Sequence, residues 1–117
     1  MKMKILSALV VIIAVISCNS GEASGKKVNP DIDANALFMA NCASCHKCDV
    51  DFTGPALKGA VSRWKDKELM YEFMRNPMSV IQKDPYAAGL MQKYKAVMTP
   101  TTLTNEQIDA VLEHCNQ

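Results

Sequence analysis

Two cysteines three positions apart, with a histidine directly after the second, form the most distinctive pattern in this chain. They are Cys42, Cys45 and His46, in the spacing C-x-x-C-H. Two thiols at this spacing can add to the two vinyl groups on one edge of a single haem. The histidine is then held against one face of the ring, where its imidazole can ligate the iron. The pattern therefore predicts one covalent haem c, bound by Cys42 and Cys45, with His46 as an axial ligand.

Three other uses of these cysteines compete with haem attachment. A redox-active C-x-x-C pair normally follows a strand in a βαβ unit, whereas no period-two strand pattern is found here. A zinc site needs four nitrogen or sulfur ligands, which Cys42, Cys45, Cys48 and a histidine could supply. A disulfide between Cys42 and Cys45 is the third alternative. Cys45 and Cys48 repeat the C-x-x-C spacing, but Asp49 follows them, so the haem register is fixed on Cys42 and Cys45.

The N-terminus predicts export, which periplasmic haem attachment requires and which favours haem over zinc. Lys2 and Lys4 precede an apolar run over residues 5–16. This run is shorter than the roughly 20 residues that span a bilayer and is typical of a secretory signal. It ends in VISC, which resembles the lipobox of bacterial lipoproteins and implies cleavage before Cys18 and lipidation of its thiol. An uncleaved anchor helix, or an ordinary signal with a chance cysteine, is the alternative.

Composition divides the 117 residues into three parts. Residues 1–17 form the predicted lipoprotein signal peptide, and residues 18–30 are polar and small, as in a flexible tether. Residues 31–117 form a single predicted domain. The formal net charge of +1 gives no reason to expect nucleic-acid binding. We expect a monomer on the periplasmic side of a bacterial membrane, anchored there by the lipid on Cys18.

Helical periodicity indicates an all-α domain. Asp33 and Asp66 can cap two helices, and Thr104 with Gln107 fits the capping box of a third. The apolar residues that follow recur at helical spacing. They are Leu37 and Phe38 in the first helix, Leu69, Met70, Phe73 and Met74 in the second, and Ile108, Val111, Leu112 and Cys115 in the third.

Glycine and proline mark the connections between these helices. Residues 47–62 are predicted to be loop, and Pro77 is predicted to end the second helix. One or two shorter helices are expected over residues 79–95, interrupted by Pro85 and Gly89.

A methionine is the expected second axial ligand, because its thioether often faces the histidine in electron-transfer haem proteins and raises the potential. Met98 is preferred, since it lies in a non-helical stretch that can cross the open haem face. Met91 is the second choice. Met70 and Met74 lie on an apolar helix face, where methionine usually fills the core. His114 would give a His/His site of lower potential. The candidates are Met70, Met74, Met78, Met91, Met98 and His114.

From about residue 31 onward the chain resembles a class I cytochrome c. The resemblance rests on Phe38, the attachment motif, Gly54-Pro55 with Leu57 and Gly59, Phe73 with Asn76-Pro77, Met98, and the final helix. It implies helices wrapped around haem, with the first and last helices crossing. It also implies that the carbonyl of Pro55 accepts a hydrogen bond from His46 and orients the ring. One departure is Thr99, which separates Met98 from a proline that often follows the ligand directly.

Two cysteines, Cys48 and Cys115, remain once the others are assigned. An even remainder in an oxidising compartment suggests a disulfide. The crossing helices that the resemblance implies would bring the two together, whereas two unpaired thiols are the alternative.

The expected function is one-electron transfer with redox proteins or membrane respiratory complexes as partners, without turnover of a substrate. Two alternatives are a haem subunit of a larger reductase or oxidase, and a gas-binding or peroxidatic haem protein with an open sixth site.

Overall fold

The structure is a computed structural model that describes residues 29–117. The predicted signal peptide, Cys18 and most of the predicted tether lie outside this range. The described part contains five α-helices and no strand, which confirms the all-α prediction, and none of these helices is long and apolar enough to cross a membrane. They are α1 (Ala34–Asn41), α2 (Lys67–Arg75), α3 (Pro77–Ile81), α4 (Pro85–Tyr94) and α5 (Asn105–Asn116), with a 3₁₀ turn at Ala60–Arg63.

The predicted helix caps are present. The carboxylates of Asp33 and Asp66 accept hydrogen bonds from the backbone N–H three residues on, at 2.9 and 2.7 Å. Thr104 and Gln107 form the predicted capping box, with reciprocal hydrogen bonds of 3.2 and 3.0 Å. These side chains satisfy N–H groups that the first helical turn leaves without a partner. The caps therefore fix where α1, α2 and α5 begin.

Two boundaries differ from the sequence-based prediction. Pro77 ends α2 but is also the first residue of α3, a position that suits its fixed φ and missing N–H. Asn76 closes α2 and caps α3. Gly89 was expected to interrupt a helix, yet it lies inside α4, which Asp84 caps and Pro85 begins. A helical glycine costs only about 0.5–1 kcal/mol relative to alanine, because its N–H still donates to the helix.

The core lies mainly where α1 packs against α5. The four predicted apolar residues of α5 are each at most 3% exposed. A smaller cluster joins α2, α3 and α4 through Phe73, Val80 and Ala87. Residues of both clusters, among them Met70, Ile108 and Phe73, line one cavity.

A polar link ties α2 to α5. The hydroxyl of Tyr71 donates to Asp109 at 2.5 Å, and the ammonium of Lys67 lies 2.7 Å from the same carboxylate. Burial raises the pKa of Tyr71, and its hydrogen bond to the Asp109 carboxylate raises it further. The hydrogen bond from Tyr71 to Asp109 therefore forms only while the tyrosine is protonated.

Candidate functional site

The attachment motif is a tight turn at the end of α1. The N–H groups of Cys45 and His46 both donate to the carbonyl of Cys42, at 3.1 and 2.8 Å. Cys42 and Cys45 are both free thiols, the first half-buried and the second exposed. Since both line the same cavity as His46, the turn brings together the three residues that the motif singled out.

The competing uses of these cysteines find no support in the described residues. Burial raises the pKa of the Cys42 thiol, whereas redox-active C-x-x-C pairs contain a cysteine whose pKa is lowered. The motif follows a helix instead of a strand. Within residues 29–117, no group of three or more histidine, cysteine or acidic side chains is placed to hold a metal ion.

The ring of His46 is held by the loop that follows it. Its Nδ1 lies 2.7 Å from the carbonyl oxygen of Pro55. Because a carbonyl can only accept, Nδ1 carries the proton, and Nε2 keeps a lone pair that it can donate to a metal ion. A Cβ placed on Gly54 would lie 2.5 Å from Cε1 of His46, so only glycine lets the backbone approach the ring this closely.

Backbone hydrogen bonds close this loop on itself. Gly54 donates to the carbonyl of Cys45 at 2.8 Å, and Leu57 donates to that of Lys47 at 3.0 Å. Lys58 donates to the carbonyl of Cys48 at 2.9 Å. The loop therefore doubles back beside the motif, which holds Pro55 against His46.

The cavity has a volume of about 480 Å³, within the roughly 300–1,000 Å³ typical of small-molecule and cofactor sites. Besides the motif and Pro55, its lining includes Met98 and side chains from α2, α4 and α5. Met98 is half-buried and packs against the small cluster of α2, α3 and α4. The cavity has free thiols, an oriented imidazole and thioethers on its walls, and this donor set fits a covalently bound haem.

The segment that carries Met98 is anchored to α2. The N–H of Thr101 donates to the carbonyl of Met74 at 2.8 Å. The guanidinium of Arg75 donates to the carbonyl of Leu103 at 3.1 Å and to the side chain of Asn105 at 2.5 Å. These bonds fix the path of residues 98–103 along the cavity.

The other candidates for the sixth ligand divide into two groups. Met70, Met74 and Met91 line the cavity with Met98. Met78 does not, and it is 47% exposed. His114 is also absent from the lining, and its ring lies 6.0 Å from that of Phe38.

Cys48 and Cys115 form a disulfide in the structure, with their Cα atoms 4.8 Å apart. It joins the loop after the motif to the last turn of α5. The N–H of Gly59 donates to the side chain of Asn116 at 2.8 Å nearby, so the loop is held to α5 at two points.

Sequence reasoning missed Asp51, which joins the His46 loop to α4. Its carboxylate accepts from Lys93 at 2.8 Å, from the Tyr94 hydroxyl at 2.7 Å and from the N–H of Ala56 at 3.0 Å. These hydrogen bonds, that from Lys93 first, hold the pKa of Asp51 well below its usual range. No local pattern could have revealed it, because Lys93 and Tyr94 are 42 and 43 residues away and only the fold brings them near.

The helices, the cavity and the attachment turn together define a class I c-type cytochrome. The family model described as Cytochrome c matches residues 32–116, and the chain belongs to this family. Covalently bound haem c is the family's cofactor, and haem-based electron transfer is its activity.

Solved structures agree with this assignment. The cytochrome c from Rhodothermus marinus is 30% identical, with a TM-score of 0.60 over 77% of this chain and 84% of that chain. An engineered form of that protein, Rma TDE, is 29% identical, with a TM-score of 0.59 over 77% and 85% of the two chains. The same engineered protein, bound to a carbene intermediate, has a TM-score of 0.56 at 29% identity over the same shares. No curated protein matches the chain.

Proposed function

We propose that this protein is an exported, lipid-anchored carrier of single electrons, in which Cys42 and Cys45 bind haem and His46 and Met98 ligate its iron. The observation that carries the proposal is that the two thiols, the oriented imidazole and Met98 border one cavity. The bound haem would supply an iron that alternates between two oxidation states. The partners would be redox proteins or membrane respiratory complexes.

The protein's own residues have separate tasks in this proposal. The two cysteines fix one edge of the cofactor, and Pro55 keeps the Nδ1 proton of His46 in place. Met98 would supply the second ligand, and a His/Met pair would favour the reduced state because it raises the potential. The apolar side chains of α2 and α5 that line the cavity would exclude water from the bound haem.

Replacing Met98 tests the ligand assignment most directly. A pyridine haemochrome spectrum of the wild type first establishes whether thioether-linked haem is present. In Met98→Ala we expect the thioether-to-iron band of the oxidised protein to disappear and the reduced protein to bind carbon monoxide. The wild type should bind carbon monoxide poorly.

Two matched methionine variants serve as controls. Met78→Ala should behave as wild type, because Met78 lies outside the cavity lining. Met91→Ala should keep the thioether band. If Met91→Ala loses this band and Met98→Ala keeps it, Met91 is the ligand and the assignment of Met98 is wrong.

The lipid anchor is proposed from the sequence ending in Cys18. Cys18→Ser should abolish lipidation and leave the haem spectrum unchanged. Mass spectrometry of the mature wild type should find a diacylglyceryl group at its N-terminus. An unmodified N-terminus in the wild type would refute this part of the proposal.

An open sixth site is the second candidate, because the engineered Rhodothermus marinus cytochrome c is bound to a carbene intermediate. A protein similar to this one can therefore hold a small reactive species. Ready binding of carbon monoxide by the reduced wild type would favour a gas-binding or peroxidatic role over electron transfer.

A further inference from the structure

One peptide group lies between the side chains of His46 and Asp51. The carbonyl of Pro55 and the N–H of Ala56 belong to the same planar peptide unit. Its oxygen accepts the proton of His46 Nδ1 at 2.7 Å, and its N–H donates to the carboxylate of Asp51 at 3.0 Å. Hydrogen bonds in such a chain polarise one another, so a negative charge at one end strengthens the bond at the other.

The carboxylate of Asp51 is held in place for this role. Lys93 and Tyr94, both in the last turn of α4, donate to its Oδ2, while the N–H of Ala56 donates to its Oδ1. The two oxygens therefore face different partners, one toward α4 and one toward the peptide behind His46. The side chain is about half exposed and ion-paired with Lys93, yet its bond to the peptide is direct.

We propose that Asp51 is a positioning residue that tunes the reduction potential by strengthening the His46–Pro55 hydrogen bond through the Pro55–Ala56 peptide. This inference rests on the proposed ligation of haem iron by His46. A stronger bond at Nδ1 increases the basicity of a ligating imidazole. A more basic ligand favours the oxidised iron, so Asp51 lowers the potential.

The charge-removing variant Asp51→Asn tests the proposal in the full-length haem-bound protein. We expect the equilibrium constant for reduction to rise about three- to tenfold, where tenfold is about 59 mV for a one-electron couple. In nuclear magnetic resonance spectra of the reduced protein, the Nδ1 proton of His46 should move upfield, because its hydrogen bond weakens. Asp51→Glu should restore both values toward wild type.

Asp49→Asn is the matched control for surface charge. Asp49 lies in the same loop and pairs with Lys58 at 3.3 Å, its only side-chain partner among the described residues. It makes no bond to the Pro55–Ala56 peptide. The variant should leave the Nδ1 resonance unchanged and shift the potential much less than Asp51→Asn.

Lys93→Gln separates electronic tuning from a merely structural tie between the loop and α4. It weakens the tie to α4, where the Tyr94 hydroxyl still donates to Asp51, and it removes the positive charge beside the carboxylate. The carboxylate stays on the N–H of Ala56, so the potential should fall where Asp51→Asn raises it. Three results would overturn the inference. The first is an equal shift of the potential in Asp51→Asn and Asp49→Asn, and the second is an unmoved Nδ1 resonance in Asp51→Asn. The third is a potential that shifts with the same sign in Asp51→Asn and Lys93→Gln. Absence of His46 ligation in wild-type spectra would instead refute the proposed function.

Discussion

At the scale of single residues, the absence of a side chain at Gly54 is what lets the backbone lie against the ring of His46. An alanine Cβ there would lie 2.5 Å from Cε1 of His46, closer than real Cβ atoms approach, and 3.0 Å from Nδ1. The ring must therefore move away, which disturbs its hydrogen bond to Pro55. We expect Gly54→Ala to lower stability by about 1–3 kcal/mol, as overpacking does, and to alter the haem spectrum. Denaturant unfolding and absorption spectra of the holoprotein measure both effects.

Gly89 provides a matched control for this substitution. A Cβ at Gly89 would meet nothing within 4 Å, and the residue lies inside α4. Gly89→Ala should therefore stabilise the protein by about 0.5–1 kcal/mol and leave the spectrum unchanged. If Gly54→Ala and Gly89→Ala changed the stability and the haem spectrum equally, glycine at position 54 would not be required by contact with His46.

At the scale of secondary-structure elements, the contact between α2 and α5 depends on the buried hydroxyl of Tyr71. Tyr71→Phe removes its 2.5 Å hydrogen bond to Asp109 and should cost about 1–2 kcal/mol at neutral pH. The folded pKa of Tyr71 is raised, so its contribution is fully present below the unfolded pKa of about 10. The contribution is lost as pH rises through the folded pKa.

The stability difference between wild type and Tyr71→Phe should therefore shrink above about pH 10. Urea unfolding of both proteins from pH 7 to pH 11 measures it. A constant difference across this range would contradict the role assigned to the tyrosine proton.

The helices show what a sequence can predict and what it cannot. The beginnings of α1, α2 and α5 were predictable because their caps act over three residues, and the buried face of α5 followed from spacing. Pro77 ends α2 as predicted, but the next helix begins at Pro77 and not at residue 79, because proline suits a helix start as well as an end. The predicted interruption at Gly89 was wrong, because one glycine is too small a cost to break a helix.

The site likewise has one part that the sequence could predict and one that it could not. The attachment turn could be read from adjacent residues, since its hydrogen bonds span only a few positions. The link from Asp51 to α4 could not be read, because its partners are distant in the chain and every contact is tertiary.

At the scale of the whole molecule, the disulfide between Cys48 and Cys115 closes a loop that contains most of the domain. The two cysteines are 67 positions apart, and the loop includes α2, α3, α4 and nearly all of α5. In the chain-entropy model, opening a loop of this length costs roughly 4 kcal/mol, because the unfolded chain gains freedom. The double variant Cys48→Ala/Cys115→Ala should lose about this much stability in guanidinium unfolding.

The dependence of unfolding on denaturant identifies the origin of this loss. If the disulfide acts on the unfolded chain, the double variant exposes more surface on unfolding, so its m-value should rise. The haem spectrum should stay unchanged, because neither cysteine lines the cavity. A loss of stability with an altered spectrum would mean that the bond instead maintains the native position of the loop behind His46.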